Sequence, residues 1–402
     1  MRLNLIHHAA IAASLLLLMT GAAPGWSQEL KEMPLAWERP VGTRVVALAV
    51  SPDGRCVVAE TTTEIVMFGG DGEVRWRRPH LNPWMAASAE NGWEHAVAVA
   101  PGCRWMIVAG SENYHYVWLL GADGQPRAHI ATPGTPQSVA ISHRGDAMVV
   151  GTAAGHLLFA NSQAQLLRDT KFKWGVFKAV EFSPDDALVL TSVAGYTVGL
   201  FTRDGETVWT REGGYINVWP TADWERFVVK TTPWHGIPID AVDILARDGK
   251  VIWQRQSILA AAVQMADDGS RFVVSSALGP DDDDFLEYAS SRIAPITLDR
   301  YGNALPAESH SAEEVPPAGW AGRCVSKGYD QPLVCRDRNG KALWQVSDIL
   351  GQEVHGYATD LTFVGVARAT GATPAMRAYR APTADMPGKT HITNADRPAE
   401  PK

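Results

Sequence analysis

Short runs of alternating hydrophobic and polar residues, separated by glycine-containing turns, recur along this chain. The pattern is clearest between Val45 and Trp76, where the turns are Ser51-Pro52-Asp53-Gly54 and Asp71-Gly72. Apolar residues with a period of two are typical of strands, and Asp-Gly pairs are typical of hairpin turns. The stretch therefore predicts four strands: A (Val45–Val50), B (Arg55–Ala59), C (Ile65–Phe68) and D (Glu73–Arg77).

Copies of this unit follow one another at intervals of roughly 40–45 residues, the period of propeller blades. They begin near residues 51, 100, 142, 183, 221 and 266, and a degenerate seventh copy ends at Trp344. Leu35–Pro40 matches an isolated D strand, and Val354–Arg380 matches strands A to C without a D. The sequence thus predicts an all-β chain, a single β-propeller of four-stranded blades. We expect eight blades, with seven as the alternative, closed by the N-terminal strand pairing into the last blade.

Large and small side chains are distributed as a propeller requires. Tryptophan recurs in D strands, which predicts that these rings pack between neighbouring sheets; the residues are Trp37, Trp76, Trp209, Trp253 and Trp344. Strand A instead carries many alanines, such as Ala47 and Ala49. Small residues fit where inner strands converge on an axis.

The two ends of the chain differ in composition from the repeats. Residues 1–27 are expected to be a signal peptide, because the apolar run Ala9–Met19 is too short to span a bilayer and Ser27 precedes a suitable cleavage point. No cysteine directly follows that run, so no lipoprotein anchor is expected. The propeller should occupy residues 35–381, and the Pro-, Thr- and Lys-rich residues 382–402 should be a disordered tail. These features predict a periplasmic or secreted protein without a membrane anchor.

The four cysteines of an exported chain invite disulfides. Cys324 and Cys335 flank a predicted turn, which would place them opposite one another on neighbouring strands. We predict that they form a bridge, with two free thiols as the alternative. Cys56 and Cys103 occupy similar places in adjacent blades, so a link between blades is a further alternative.

The segment Val198–Trp209, preceded by Ser183-Pro184-Asp185-Asp186, resembles the quinoprotein-like (PQQ-like) and WD40-like propeller repeats. The resemblance to dehydrogenases of the quinoprotein class implies a bound pyrroloquinoline quinone, a calcium ion, a catalytic aspartate and, in many members, two adjacent cysteines. This chain has no Cys-Cys pair, and no aspartate matches the catalytic one by motif. The resemblance therefore indicates the fold rather than an activity.

In a propeller, the A–B and C–D turns lie on one face, and the B–C loops and D-to-A crossovers lie on the other. In this chain the second set is longer and more varied, and binding commonly uses such loops on a rigid scaffold. Aromatic residues and histidines gather there, including His80 and His95 at the ends of the first crossover. The predicted recognition residues are Trp84, Trp93, Tyr114, His115, Tyr116, His156, Trp174, Tyr196, Trp234, His235 and Tyr329.

No motif for nucleophilic catalysis or for a metal centre occurs, so no catalytic or metal-ligating residues are predicted. The run Asp281–Asp284 with Glu287 could hold calcium, but it lacks the glycine and spacing of calcium loops. The net charge of −8, without a basic stripe, argues against nucleic acid. We expect a non-catalytic binding or assembly scaffold for a protein, peptide or small ligand, needing no cofactor. The alternative is a PQQ-dependent or other small-molecule oxidoreductase with its site at the channel mouth.

Overall fold

The computed structural model describes the backbone of residues 30–81, 95–110, 115–173, 177–193, 197–212, 215–221, 223–232, 239–259, 261–265, 269–276, 295–306, 324–326, 332–336, 342–350, 355–357, 362–367 and 375–380. The predicted signal peptide and C-terminal tail lie outside these residues. In the described part of the chain, no helix is long and apolar enough to cross a membrane.

The described residues are almost entirely strands. In chain order they are β1 (Lys31–Glu32), β2 (Leu35–Pro40), β3 (Val45–Val50), β4 (Cys56–Thr61), β5 (Glu64–Gly69), β6 (Val74–Pro79), β7 (His95–Val99), β8 (Trp105–Gly110), β9 (Tyr116–Gly121), β10 (Pro126–Ala131), β11 (Pro136–Ile141), β12 (Ala147–Thr152), β13 (His156–Asn161), β14 (Leu166–Lys171), β15 (Phe177–Phe182), β16 (Leu188–Val193), β17 (Thr197–Thr202), β18 (Thr207–Glu212), β19 (Tyr215–Pro220), β20 (Arg226–Thr232), β21 (Ile239–Ala246), β22 (Val251–Leu259), β23 (Ala261–Met265), β24 (Arg271–Ser276), β25 (Ile296–Asp299), β26 (Cys324–Ser326), β27 (Pro332–Arg336), β28 (Ala342–Leu350), β29 (His355–Tyr357), β30 (Thr362–Ala367) and β31 (Ala375–Arg380). A single turn of 3₁₀ helix, Pro101–Cys103, joins β7 to β8.

These strands pair into eight sheets, numbered here as sheet 1 (β3–β6), sheet 2 (β7–β10), sheet 3 (β11–β14), sheet 4 (β15–β18), sheet 5 (β19–β22), sheet 6 (β23–β25), sheet 7 (β26–β28 with β1) and sheet 8 (β29–β31 with β2). The strands of sheet 1 begin and end within two residues of the predicted boundaries. Their turns form because Gly54 and Gly72 have φ values of 66° and 78°, which glycine adopts without steric strain. The chain is a β-propeller of four-stranded blades, as predicted.

The predicted number of blades is too high for the described residues. Six sheets, 1 to 5 and 8, have four strands of at least three residues each, whereas sheet 6 has three strands and the fourth strand of sheet 7 has two residues. In sheet 6 a fourth strand begins only as an isolated bridge between Leu298 and Ala304. The Leu305 amide then donates to the Thr297 carbonyl at 2.7 Å, and Pro306, which cannot donate a ladder hydrogen bond, is the last described residue of this stretch. The repeat pattern did not distinguish these reduced sheets from complete ones.

The N-terminal strand pairs into the last sheet, as predicted. In β2, Trp37 lies opposite Ala378 of β31, and the two strands run antiparallel. Trp37 also packs with Val45 and Phe68 of sheet 1 in one buried cluster. Similar buried clusters join each sheet to the next in the order 7, 8, 1, 2, 3, 4, 5 and 6. The first strands of neighbouring sheets, such as β3 and β7, lie side by side, which explains the small residues in strand A.

Tryptophans of D strands hold neighbouring blades together, which confirms their predicted structural role. The indole N–H of Trp76 donates to the carbonyl oxygen of Ala122 in the next sheet (2.9 Å), and Trp209 donates in the same way to Arg247 (3.2 Å). Each ring packs against the glycine of that sheet's C–D turn, where a Cβ on Gly124 would come within 2.8 Å of the ring of Trp76. An arginine two residues after the tryptophan completes the contact, since Arg211 donates to the Gly249 carbonyl at 2.9 Å.

Candidate functional site

The connections between strands lie on two opposite faces. On the turn face, the A–B and C–D turns of one sheet meet, as when the Gly70 amide donates to the Arg55 carbonyl at 2.7 Å. On the loop face, the B–C loops meet the connections that follow strand D. There the Thr132 amide donates to the His115 carbonyl, and the Phe172 amide donates to the Gly155 carbonyl, both at 2.8 Å.

The turn face is largely occupied with holding blades together. An aspartate of one A–B turn repeatedly pairs with an arginine in the C–D turn of the following sheet. These pairs are Asp146–Arg203 at 2.5 Å, Asp185–Arg247 at 3.6 Å and Asp223–Arg300 at 3.6 Å. Exposed pairs of this kind contribute little each, but their regular spacing fixes the turns relative to one another.

Most of the predicted recognition residues lie outside the described residues: Trp84, Trp93, Tyr114, Trp174, Tyr196, Trp234, His235 and Tyr329. The same holds for the acidic run Asp281–Asp284 and Glu287. Their assignment to a recognition surface or a calcium site stays a prediction.

Three of the predicted residues are described, and the structure places them at the loop-face ends of sheets 2 and 3. His115 is exposed just before β9, and the ring of Tyr116 packs edge-on against His129 at 5.2 Å. His156 begins β13, where its Nδ1 lies 2.8 Å from the Asp169 carboxylate of β14. Tyr116 and His156 thus contact residues of their own sheets, which favours a supporting role for them.

A buried carboxylate at the junction of sheets 1 and 2 is the most distinctive chemical feature of the loop face. The side chain of Glu60 is fully buried, and its Oε1 lies 2.9 Å from Nδ1 of His95 and 3.3 Å from Nδ1 of His80. The imidazole of His80 is 2% exposed, and its Nε2 lies 2.9 Å from the Thr61 carbonyl oxygen. We refer to these three residues as the Glu60 cluster.

Strand alternation brings the cluster together. In β4, Cys56, Val58 and Glu60 point to the same side, and Cys56 and Val58 pack against sheet 2. In β7, His95 shares its side with Val97 and Val99, which pack against sheet 1. Glu60 and His95 therefore meet at the loop-face end of an otherwise apolar interface. His80 joins them because it follows the last residue of β6.

The cluster holds Glu60 in its ionised form. Burial would raise the pKa of the Glu60 carboxyl, but His80 and His95 together lower that pKa below its ordinary value of 4.5. A buried carboxylate is stable only when it is paired with a positive charge or well hydrogen-bonded. His80 and His95, whose Nδ1 atoms lie 3.3 and 2.9 Å from Glu60 Oε1, supply the pairing that a buried carboxylate needs.

The cluster also fixes both ends of a single connection. His80 and His95 flank the crossover of residues 81–94, which contains the predicted recognition residues Trp84 and Trp93. Glu60 contacts both histidines, so one buried carboxylate anchors the start and the end of this crossover. Sequence reasoning located the two histidines but missed Glu60. Its place at the end of an apolar strand gives no sign that it faces the next blade.

A disulfide joins the same two sheets at the opposite end of their interface. Cys56 of β4 is bonded to Cys103, with a Cα–Cα distance of 6.1 Å. The sequence had offered this pair only as an alternative. Cys324 and Cys335 lie directly opposite each other in the register of β26 and β27. That register suits the predicted bridge, but the side chain of Cys324 lies outside the described residues, so the pairing stays a prediction.

Within the described ranges, no group of three histidine, cysteine, aspartate or glutamate residues is arranged to hold a metal ion. The geometry of the Glu60 cluster instead suits a carboxylate lying between two imidazoles. Its chemistry is that of a charged structural anchor at the two ends of a connection.

Comparison of the chain with protein-family models and with curated protein sequences gave no match.

Proposed function

We propose that this chain is an exported, non-catalytic binding or assembly module that recognises a protein, peptide or small ligand through its loop face. The observation that carries the proposal is the anchoring of the crossover 81–94 by Glu60 at both His80 and His95. A recognition loop with fixed ends loses less conformational entropy on binding than a free one.

The proposal includes export with removal of residues 1–27 and closure of the sheets into a ring through the N-terminal strand. The pairing of β2 with β31 supports this closure. The ion pairs support the choice of surface, because they occupy the turn face from sheet 3 to sheet 6 with contacts between blades.

Site-specific photo-cross-linking in the native cell envelope tests the proposal. Probes at residues 84 and 93 should capture a partner, whereas a control probe at the exposed turn-face residue Lys250 should not. Glu60→Gln should reduce the capture at residue 84. Glu64→Gln is the matched control, because Glu64 lies at the same end of sheet 1 but forms a partly exposed pair with Arg77 at 2.5 Å.

Capture from Lys250 alone would show that the loop face is not the binding surface. Dye reduction that depends on added pyrroloquinoline quinone and Ca²⁺ would instead support the oxidoreductase alternative. Recovery of the chain with residues 1–27 intact in the cytoplasm would contradict export.

A further inference from the structure

Each of the D-strand tryptophans Trp37, Trp76 and Trp209 lies in a slot between its own sheet and the C–D turn of the next sheet. At the junctions of sheets 8 and 1, 1 and 2, and 4 and 5, the slot holds Trp37, Trp76 and Trp209. In each case the indole donates to the carbonyl of the residue two before a turn glycine, and a Cβ on that glycine would meet the ring at 2.6 to 2.8 Å.

At the junction of sheets 2 and 3 the slot has no tryptophan. The register of β9 and β10 places Ala128 opposite Leu119, directly after a bulge. Trp76 lies opposite Met67 after the same kind of bulge in sheet 1. Ala128 therefore occupies the tryptophan position of its blade.

The facing turn has changed in step. Where the other C–D turns have a glycine such as Gly124, sheet 3 has Ala164 with a φ of 64°. The Ala164 amide donates to the Asn161 carbonyl at 3.0 Å, as the Gly124 amide donates to Gly121 at 2.9 Å.

A cavity of about 500 Å³ borders this slot, because its wall includes Leu119 and Arg127, which adjoin Ala128, and Ser162 and Gln163, which precede Ala164. This volume lies within the range of roughly 300–1,000 Å³ that ligand pockets occupy. Its wall includes the ring of Trp105, which donates to the Gly145 carbonyl at 3.0 Å, and the buried side chain of Leu119. An indole-sized ring can stack on Trp105 and replace the missing tryptophan.

Two guanidinium groups, those of Arg104 and Arg127, line the cavity, together with one carboxylate, that of Asp123. Arg127 is paired with Asp123 at 2.7 Å. Arg104 is exposed, and its described partners are the uncharged carbonyl oxygens of Pro101 and Arg144. The charge of Arg104 is therefore available to a ligand, and arginine pairs well with a carboxylate.

We infer that this cavity binds a planar aromatic group carrying a carboxylate, with the ring stacked on Trp105 beside the tryptophan position of the blade and the carboxylate at Arg104. The chemistry fits a free aryl carboxylic acid and also the C-terminal tryptophan of a peptide. The cavity is on the turn face, so this inference does not depend on the function proposed for the loop face.

Isothermal titration calorimetry of the full chain tests the inference with three probes: indole-3-propionate, neutral indole and acetyl-Gly-Gly-Trp with a free carboxylate. At least one of the two acids should bind, and indole should bind at least tenfold more weakly than that acid. Binding of the peptide alone would identify a chain terminus as the source, and binding of the free acid alone would identify a small molecule. No heat from either acid at millimolar concentration would overturn the inference.

Ala128→Trp should fill the slot from within, raise the melting temperature and weaken binding of the acid at least tenfold. Leu167→Trp is the matched control, because Leu167 is an exposed D-strand residue of sheet 3 (55% exposed), whereas Ala128 follows the wall residue Arg127 and pairs with the wall residue Leu119. Arg104→Gln should weaken binding of the acid at least fivefold and leave binding of indole unchanged. A folded Ala128→Trp variant that binds the acid as the wild type does would refute the assigned site. Equal weakening of both ligands by Arg104→Gln would refute the carboxylate contact.

Discussion

The disulfide between Cys56 and Cys103 should stabilise the propeller by an amount set by the loop it closes. The two cysteines are separated by 47 residues in sequence. The chain-entropy relation gives about 4 kcal/mol for a loop of this length, mainly through restriction of the unfolded chain. The bond also joins β4 of sheet 1 to the turn before β8 of sheet 2, so its loss should loosen one junction between blades.

The double variant Cys56→Ala with Cys103→Ala tests this estimate without leaving a hydroxyl in the buried Cys56 site. Equilibrium urea unfolding, followed by circular dichroism, should show a free energy of unfolding lower by roughly 4 kcal/mol. The matched double variant Cys324→Ala with Cys335→Ala removes the predicted hairpin bridge. Because that loop is much shorter, the same relation gives a smaller loss of about 3 kcal/mol.

The order of these two losses is the informative result. A loss below about 1 kcal/mol for the Cys56–Cys103 variant, with an unchanged dependence on urea, would contradict the loop-entropy reasoning. No loss at all for the second variant would contradict the predicted Cys324–Cys335 bridge.

Three further predictions concern the junctions between blades. Trp209→Ala should lower the free energy of unfolding in urea by about 3–5 kcal/mol because it empties a packed slot, and Trp209→Phe, which loses only the N–H bond and part of the ring, should cost less. Gly124→Ala should cost about 1–3 kcal/mol more than Gly42→Ala, because both glycines have positive φ but only the Cβ at Gly124 meets a ring. The lowered pKa of Glu60 means that its pairing stabilises the fold fully above pH 4.5 and that this contribution disappears as the pH falls through the folded-state value. A pH series of urea unfolding should therefore show a smaller acid-induced loss of stability for Glu60→Gln than for the wild type.

Each of these has a clear contrary outcome. Equal costs for the two glycine variants would show that backbone strain, not contact with Trp76, decides the effect. A Trp209→Phe variant as unstable as Trp209→Ala would assign the stabilisation to the hydrogen bond with Arg247. Parallel pH profiles for Glu60→Gln and the wild type would show that Glu60 is not ionised in the folded chain.

The sequence predicted the parts of the fold that depend on local pattern. The period-two runs and glycine turns predicted the boundaries of the strands of sheet 1 to within two residues. The segment Leu35–Pro40, which resembles a D strand without its own blade, predicted the pairing of β2 with the last strand. The recurrent tryptophans gave the packing between sheets. Because each of these features repeats, a copy with an unclear pattern can be recognised by comparison with the clearer copies.

The features that the sequence did not reveal depend on which residues face each other across a junction. Glu60 looks like an ordinary strand end until the side that carries Cys56 and Val58 is known to face His95. The bridge between Cys56 and Cys103 depends in the same way on how sheets 1 and 2 stack. The reduced sheets 6 and 7 were predicted as full blades because their turns match the repeat, and a matching turn does not determine how many strands pair.

The vacant tryptophan slot shows how a repeat can indicate a site by its departure from the pattern. At the junction of sheets 3 and 4, where the D strand has Arg168 instead of a tryptophan, Phe159 and Arg168 lie against Gly205 and occupy the slot. Between sheets 2 and 3, Ala128 and Ala164 stand at the tryptophan and glycine positions, and a cavity lies beside Trp105. Apolar surface left open in this way costs stability, so a ligand that covers it would recover what the missing tryptophan supplies elsewhere.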